Sequence, residues 1–82
     1  MSCFVYILEC LDGTFYTGIT WNLEKRLKQH NSNYKTPIQK SRLPVKLVYW
    51  EKFETRILAA KREKEIKGWS RIKKIQLIDS LR

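Results

Sequence analysis

No stretch of this sequence approaches the run of about 20 apolar residues that a membrane-spanning helix requires. Its 43% of apolar residues are interleaved with charge instead of massed. Met1-Ser2-Cys3-Phe4 lacks a positive segment leading into an apolar run and a small-residue cleavage site, so no secretion signal is read and a cytoplasmic location is expected. Cysteine and histidine are scarce, with two of the first and one of the second. Cys3 and Cys10 stand at the two ends of one extended segment, roughly 23 Å apart at about 3.3 Å per residue, which excludes a disulfide within it. With no CxxC and no second histidine there is no zinc constellation, and both cysteines are expected to be small buried hydrophobes. Internal repeats, low-complexity tracts and interdomain linkers are absent, and 82 residues leave no room for a second core. One domain over residues 1–82 is the expectation.

Acidic residues are also few. Eight Asp and Glu oppose 17 Lys and Arg, a formal net charge of +9. So large an excess on so short a chain points to a polyanionic partner. An anionic membrane is the weaker reading, because no helical segment sets its charge opposite a bulky apolar face. Lys35, Lys40 and Arg42 in a polar loop, with Lys73 and Lys74 in the first turns of the last helix, are the candidate nucleic-acid contacts.

Cys3 to Cys10 is apolar on both parities and reads as a central strand covered on both faces. Leu11-Asp12-Gly13 is a turn and Thr14 to Gly18 the returning strand. A two-residue loop at Asp12-Gly13 puts Tyr6 and Tyr16 on opposite faces. A three-residue loop closed by Gly13 at φ > 0 pairs Cys10 with Thr14, Leu8 with Tyr16 and Tyr6 with Gly18, which brings both phenols to one face. The second register is favoured, and it leaves space over Gly18 for a ligand. Asn22 caps a helix over Leu23–His30, with Arg26 and His30 bordering its Leu23/Leu27 stripe. Asn31–Leu43 reads as a long surface loop and Pro44–Phe53 as a third strand. A helix over Thr55–Lys67, ended by Gly68, has Ile57, Ala59, Ala60 and Ile66 on its apolar side and turns Glu63 inward, while Lys61, Arg62 and Glu65 belong to its solvated side. The last helix starts at Ser70 and packs through Ile72, Ile75, Ile78 and Leu81.

Each polar candidate has a plain structural explanation taken alone: strand tyrosines in a core, a snorkelling arginine, a histidine at a helix end, a Glu63–Lys67 pair at i, i+4. Together Tyr6, Tyr16, Arg26, His30 and Glu63 converge on one side of the sheet. A carboxylate on an apolar stripe is costly unless paired or bound to a cation. Glu63 could hold Mg²⁺ with water and phosphate filling the remaining positions. Arg26 could neutralise charge developing on a phosphate. A phenol of pKa near 10 needs nearby cations before it can serve as a base.

Phe4-Val5-Tyr6, Tyr16-Thr17-Gly18-Ile19-Thr20, Asn22-Leu23 to Arg26-Leu27, His30, and Arg62 to Ser70 around Glu63 together resemble the GIY-YIG nuclease superfamily, in particular its small standalone branch. The resemblance spans nearly the whole chain. It implies an α/β (α+β) sandwich in which a three-stranded antiparallel sheet is flanked by helices, in the order β-β-α-β-α-α. It also implies one divalent ion, Mg²⁺ or Mn²⁺, on Glu63, with Tyr6 and Tyr16 around the attacking water, Arg26 at the phosphate and His30 as an auxiliary hydrogen-bonding or proton-transfer group. Both tyrosines stand as candidates for the base, Tyr6 preferred. Phe4 replaces the first motif's glycine, Thr17 the second motif's isoleucine, and Ile19 a lysine found in some active relatives.

The expected function is metal-dependent hydrolysis of DNA phosphodiesters in repair or recombination, with weak or structure-based selectivity. The substrate would be branched or single-stranded DNA, chosen by the core, the 31–43 loop, a protein partner or a homodimer. A nucleic-acid-binding module of the same fold with little catalysis is the rival reading, and a basic protein-interaction domain the third.

Overall fold

A computed structural model describes residues 1–80. Strand β1 (Cys3–Glu9) lies between β2 (Phe15–Thr20) and β3 (Lys46–Phe53) in one antiparallel sheet. Helix α1 (Leu23–Asn31) follows β2, a 3-10 turn at Lys40–Arg42 precedes β3, and α2 (Arg56–Lys67) and α3 (Arg71–Asp79) close the described chain. The architecture is the expected α/β sandwich in the order β-β-α-β-α-α.

The β1–β2 turn takes the three-residue form. The Gly13 N–H donates to the Cys10 carbonyl at 2.9 Å, the Cys10 N–H donates to the Thr14 carbonyl at 2.8 Å, and Gly13 has a φ of 83°. No other residue type enters that region so cheaply. Asp12 Oδ1 accepts from the Thr14 N–H at 3.1 Å and from its hydroxyl at 2.6 Å, reinforcing the turn. The register that follows sets Tyr6 opposite Gly18 and Leu8 opposite Tyr16.

Because β1 is central, its side chains alternate between two cores. Cys3, Val5 and Ile7 pack with Tyr49, Ala59, Ile66 and Ile78 under α2 and α3. Tyr6, Leu8 and Cys10 pack with Ile38 and Val45, bordered by Leu23 and Leu27 of α1. Both cysteines are free and buried, one in each core. Between Ile7 and Leu8 the β1–β3 pairing shifts by one residue, which leaves Val48 as the extra residue of a bulge.

Each helix begins at a side-chain cap. Asn22 Oδ1 accepts from the Lys25 N–H, Thr55 Oγ1 from that of Leu58 and Ser70 Oγ from that of Lys73.

Several expectations give way. Ile57 and Ile72 are 71% and 70% exposed, and Ile75 is also on the surface. The short α2 and α3 meet the sheet along narrow stripes that Ala59, Ile66, Leu77 and Ile78 already fill. Leu81 lies outside the described residues. Arg62 is no solvated residue: its side chain is 25% exposed and bridges Glu51 of β3 and Glu65 of α2. Gly68 ends α2 with a φ of −82°, in the right-handed region, so its role there needs no left-handed backbone. The 31–43 segment is anchored instead of floating, because Ile38 is buried and Asn31 exchanges two hydrogen bonds with the Val45 backbone.

Candidate active site

Four of the five candidate residues reach the α1 side of the sheet through simple local rules. The hairpin register aligns Tyr6 and Tyr16 on one face, and the i, i+4 spacing on α1 brings Arg26 and His30 over them. The Tyr6 and Tyr16 ring centroids are 6.3 Å apart, and His30 lies 5.9 Å from the first and 5.2 Å from the second. Gly18 supplies the room. A Cβ built there would stand 2.6 Å from the Tyr6 hydroxyl oxygen and 2.7 Å from Cζ, so any side chain would evict the phenol.

His30 is fully buried. Its Nε2 is hydrogen-bonded to the Tyr6 hydroxyl at 2.9 Å, and its Nδ1 to the Thr36 hydroxyl. Thr36 Oγ1 also accepts from the Ile38 N–H at 3.1 Å, which fixes the outer end of this Tyr6–His30–Thr36 chain. Burial and the neighbouring Arg26 charge push the His30 pKa down to about 4, so the imidazole is neutral at pH 7. Burial also pushes the Tyr6 phenol up to about 12, against the hydrogen bonding and charge of Arg26. Tyr6 therefore keeps its proton. Tyr16 is half-buried, and its hydroxyl has no hydrogen-bond partner among the described residues.

Arg26 is also half-buried. Its Nη1 donates to Gln29 Oε1 and to the Lys35 carbonyl, both at 3.1 Å. Lys35 presents that carbonyl from a left-handed backbone with φ 48°. Both acceptors are neutral, so the guanidinium is oriented without being neutralised. Arg26 also lines a cleft of about 340 Å³ with Cys3, Ile19, Thr20, Trp21 and Arg56.

Glu63 comes from the opposite layer. Helix α2 packs on β1 and β2, and the Glu63 charge is felt at the Tyr6 phenol, where it acts to raise the pKa. The carboxylate is 21% exposed and pairs with Lys67 at 3.4 Å, the i, i+4 partner expected from sequence. Among the described residues, no three His, Cys, Asp or Glu side chains gather around a common point. A single half-buried carboxylate suits Mg²⁺, which keeps most of its waters and takes substrate phosphate; it does not suit a closed protein cage.

The basic candidates divide. Lys35 sits beside Arg26, whereas Lys73 and Lys74 lie on α3, against the other face of the sheet. Lys40 is exposed in the 3-10 turn. Arg42 is held by the hairpin: it pairs with Asp12 at 3.2 Å and donates to the Thr14 hydroxyl. The sequence reading missed Thr36, because a threonine in a polar loop carries no periodic signal. It also missed the brace behind Glu63, where Arg62 binds Glu51, Glu51 accepts from the Tyr49 hydroxyl, and Trp69 lies 5.1 Å from the Arg62 guanidinium.

A GIY-YIG catalytic domain model matches residues 2–76, so the chain belongs to the GIY-YIG family. A UPF0213 protein from Syntrophus aciditrophicus is 54% identical over 76 residues, covering 92% of this chain and 87% of that protein. One from Staphylococcus saprophyticus is 48% identical over 75 residues, covering 92% of each. A solution NMR structure of a UPF0213 protein from Bacillus halodurans superposes with a TM-score of 0.63 at 40% identity, covering 96% of this chain and 84% of that one. A second NMR structure, from E. faecalis, gives 0.67 at 38% identity, with 99% and 86% covered. Membership places the chain in a nuclease family.

Proposed function

We propose that this protein is a metal-dependent endonuclease that hydrolyses DNA phosphodiesters, acting in repair or recombination. The observation that carries the reading is the cluster over Gly18, where two phenols and a neutral imidazole pack beside an arginine that has no acidic partner among the described residues. The +9 net charge supplies general attraction to DNA.

In this reading Arg26 binds the scissile phosphate and stabilises the charge that grows on it. Tyr6, held protonated by burial and oriented by His30, is a positioning hydroxyl. Tyr16, half-exposed with an uncommitted hydroxyl, is the phenol that faces the attacking water, and the preference for the base moves to it from Tyr6. His30 touches no substrate and sets the Tyr6 rotamer. Glu63 would hold Mg²⁺ or Mn²⁺, giving up its contact with Lys67. When bound, such an ion supplies Lewis-acid polarisation of the phosphate.

The high Tyr6 pKa and the apolar Ile19 beside the site favour the second reading, a binding module with little turnover. Cleavage of a panel of single-stranded, flapped, branched and nicked DNA in Mg²⁺ or Mn²⁺ separates the two. The nuclease reading expects Glu63→Gln and Arg26→Ala to lower cleavage at least a hundredfold, with Glu63→Gln binding DNA as the wild type does. Intact substrates throughout would sink it.

A further inference from the structure

The two registers order the α1 face of the sheet into rows running across the strands. Tyr16, Leu8 and Leu47 form one row; Gly18, Tyr6 and Trp50 the next; Thr20, Phe4 and Lys52 the last. Leu23 and Leu27 of α1 pack in the same core as the first row. The far end of the face is open: Trp50 is 46% exposed, Lys52 is exposed, and Phe4 and Thr20 are half-buried. Phe4 and Trp50 meet edge to face, with centroids 5.8 Å apart at 72°. Lys52 has no ion-pair partner among the described residues.

An aromatic pair facing water at the open end of a sheet is an unfilled stacking surface. Strands lie about 4.8 Å apart and same-face neighbours along a strand about 7 Å apart. Trp50 is thus one strand from Tyr6 and two strands and one row from Tyr16, about 12 Å across the face, a separation that suits the scissile phosphate and the base of a neighbouring nucleotide. The aromatics on the sheet, the unpaired lysine beside them and the positive net charge all select the same occupant.

Resting on the nuclease reading above, we propose that Phe4 and Trp50, with Lys52, form a nucleobase-stacking subsite. It takes one unstacked base of the strand whose phosphate lies at Arg26 and Tyr16. A base inside a duplex has both faces covered by its neighbours, so the subsite selects DNA that offers an unpaired or splayed nucleotide beside the cut. Phe4, standing where the first motif of the family has glycine, acquires a role in substrate choice.

The test is a binding measurement in EDTA, where cleavage does not intervene. In a Trp21→Phe, Trp69→Phe background Trp50 is the sole tryptophan. Its emission should be quenched saturably by a short single-stranded oligonucleotide. An abasic strand of the same length and a blunt duplex should quench it little. Trp50→Leu should weaken single-strand binding about tenfold and leave abasic-strand binding unchanged, while Trp50→Phe retains most of the affinity. Circular dichroism verifies that each variant is folded.

Equal quenching by the abasic strand, or Trp50→Leu binding at wild-type affinity, would overturn the subsite and leave Phe4 and Trp50 as a packing pair between strands. The two readings fail separately. Metal-dependent cleavage without base-dependent quenching removes the subsite alone, and base-dependent quenching without cleavage on any substrate removes the nuclease alone.

Discussion

His30 joins the chemistry of the site to the stability of the fold in one ring. It is sealed from water and hydrogen-bonded at both nitrogens, and its pKa is depressed to about 4. The unfolded chain takes up the imidazole proton near pH 6.5 while the folded chain resists until about pH 4, so acid favours unfolding within that window. Urea midpoints should fall as pH drops from 6.5 towards 4, with up to about 3 kcal/mol lost. His30→Phe should flatten that part of the pH profile. Gly18 is the complementary position, where one added methyl group has nowhere to go. In Gly18→Ala the Tyr6 phenol must move, breaking its 2.9 Å bond to His30. Cleavage should fall at least tenfold while far-UV circular dichroism stays native.

At the scale of elements the β1–β2 hairpin and α2 carry the geometry between them. The hairpin needs Gly13 in the left-handed region and is clipped by Arg42, whose guanidinium reaches Asp12 and Thr14. Helix α2 is pinned to β3 by Arg62, and its orientation sets where Glu63 lies. Burial acts to raise the pKa of Glu51, but hydrogen bonds from Arg62 and Tyr49 outweigh it and hold the carboxylate below its usual range. Tyr49 is in turn pushed up to about 12 by burial and by Glu51. Arg62→Met leaves Glu51 without its cation in a half-buried place and should cost about 2 kcal/mol by chemical denaturation. It should also reduce cleavage more than DNA binding, because α2 then holds Glu63 less firmly.

At the scale of the whole molecule the basic candidates fall in different places. Lys35 and Arg26 belong to the α1 side, Lys73 and Lys74 to the α3 side, and Arg42 to an internal ion pair. The salt dependence of DNA binding reads this partition directly. Lys35→Ala should lower the slope of log K against log salt by about 0.7 on single strands. Arg42→Ala should leave the slope unchanged and lower the melting temperature instead, since its charge is spent on Asp12. A slope reduced equally in both would contradict the division. Among the described residues no helix is long and apolar enough to cross a membrane.

The turn, the strands and the start of α1 were legible in sequence because each rests on local chemistry: Gly13 at φ > 0, apolar runs bounded by turn residues, and Asn22 as a cap; that Thr55 and Ser70 cap α2 and α3 came from the structure. Gly13 at the last loop position favoured the register in which Tyr6 and Tyr16 share a face, and the observed pairing has it. Helix phase was less informative for α2 and α3, where apolar residues surround the axis and only the docked sheet separates buried Ile66 from exposed Ile57. Thr36 behind His30, the partners of Arg62 and the open row of Phe4, Trp50 and Lys52 depend on contacts between segments distant in sequence. Local pattern determined which residues form the strands, turns and caps; only tertiary packing decided which charges are paired, which phenol keeps its proton and which aromatics remain uncovered, because those outcomes depend on burial and neighbours supplied by other parts of the chain.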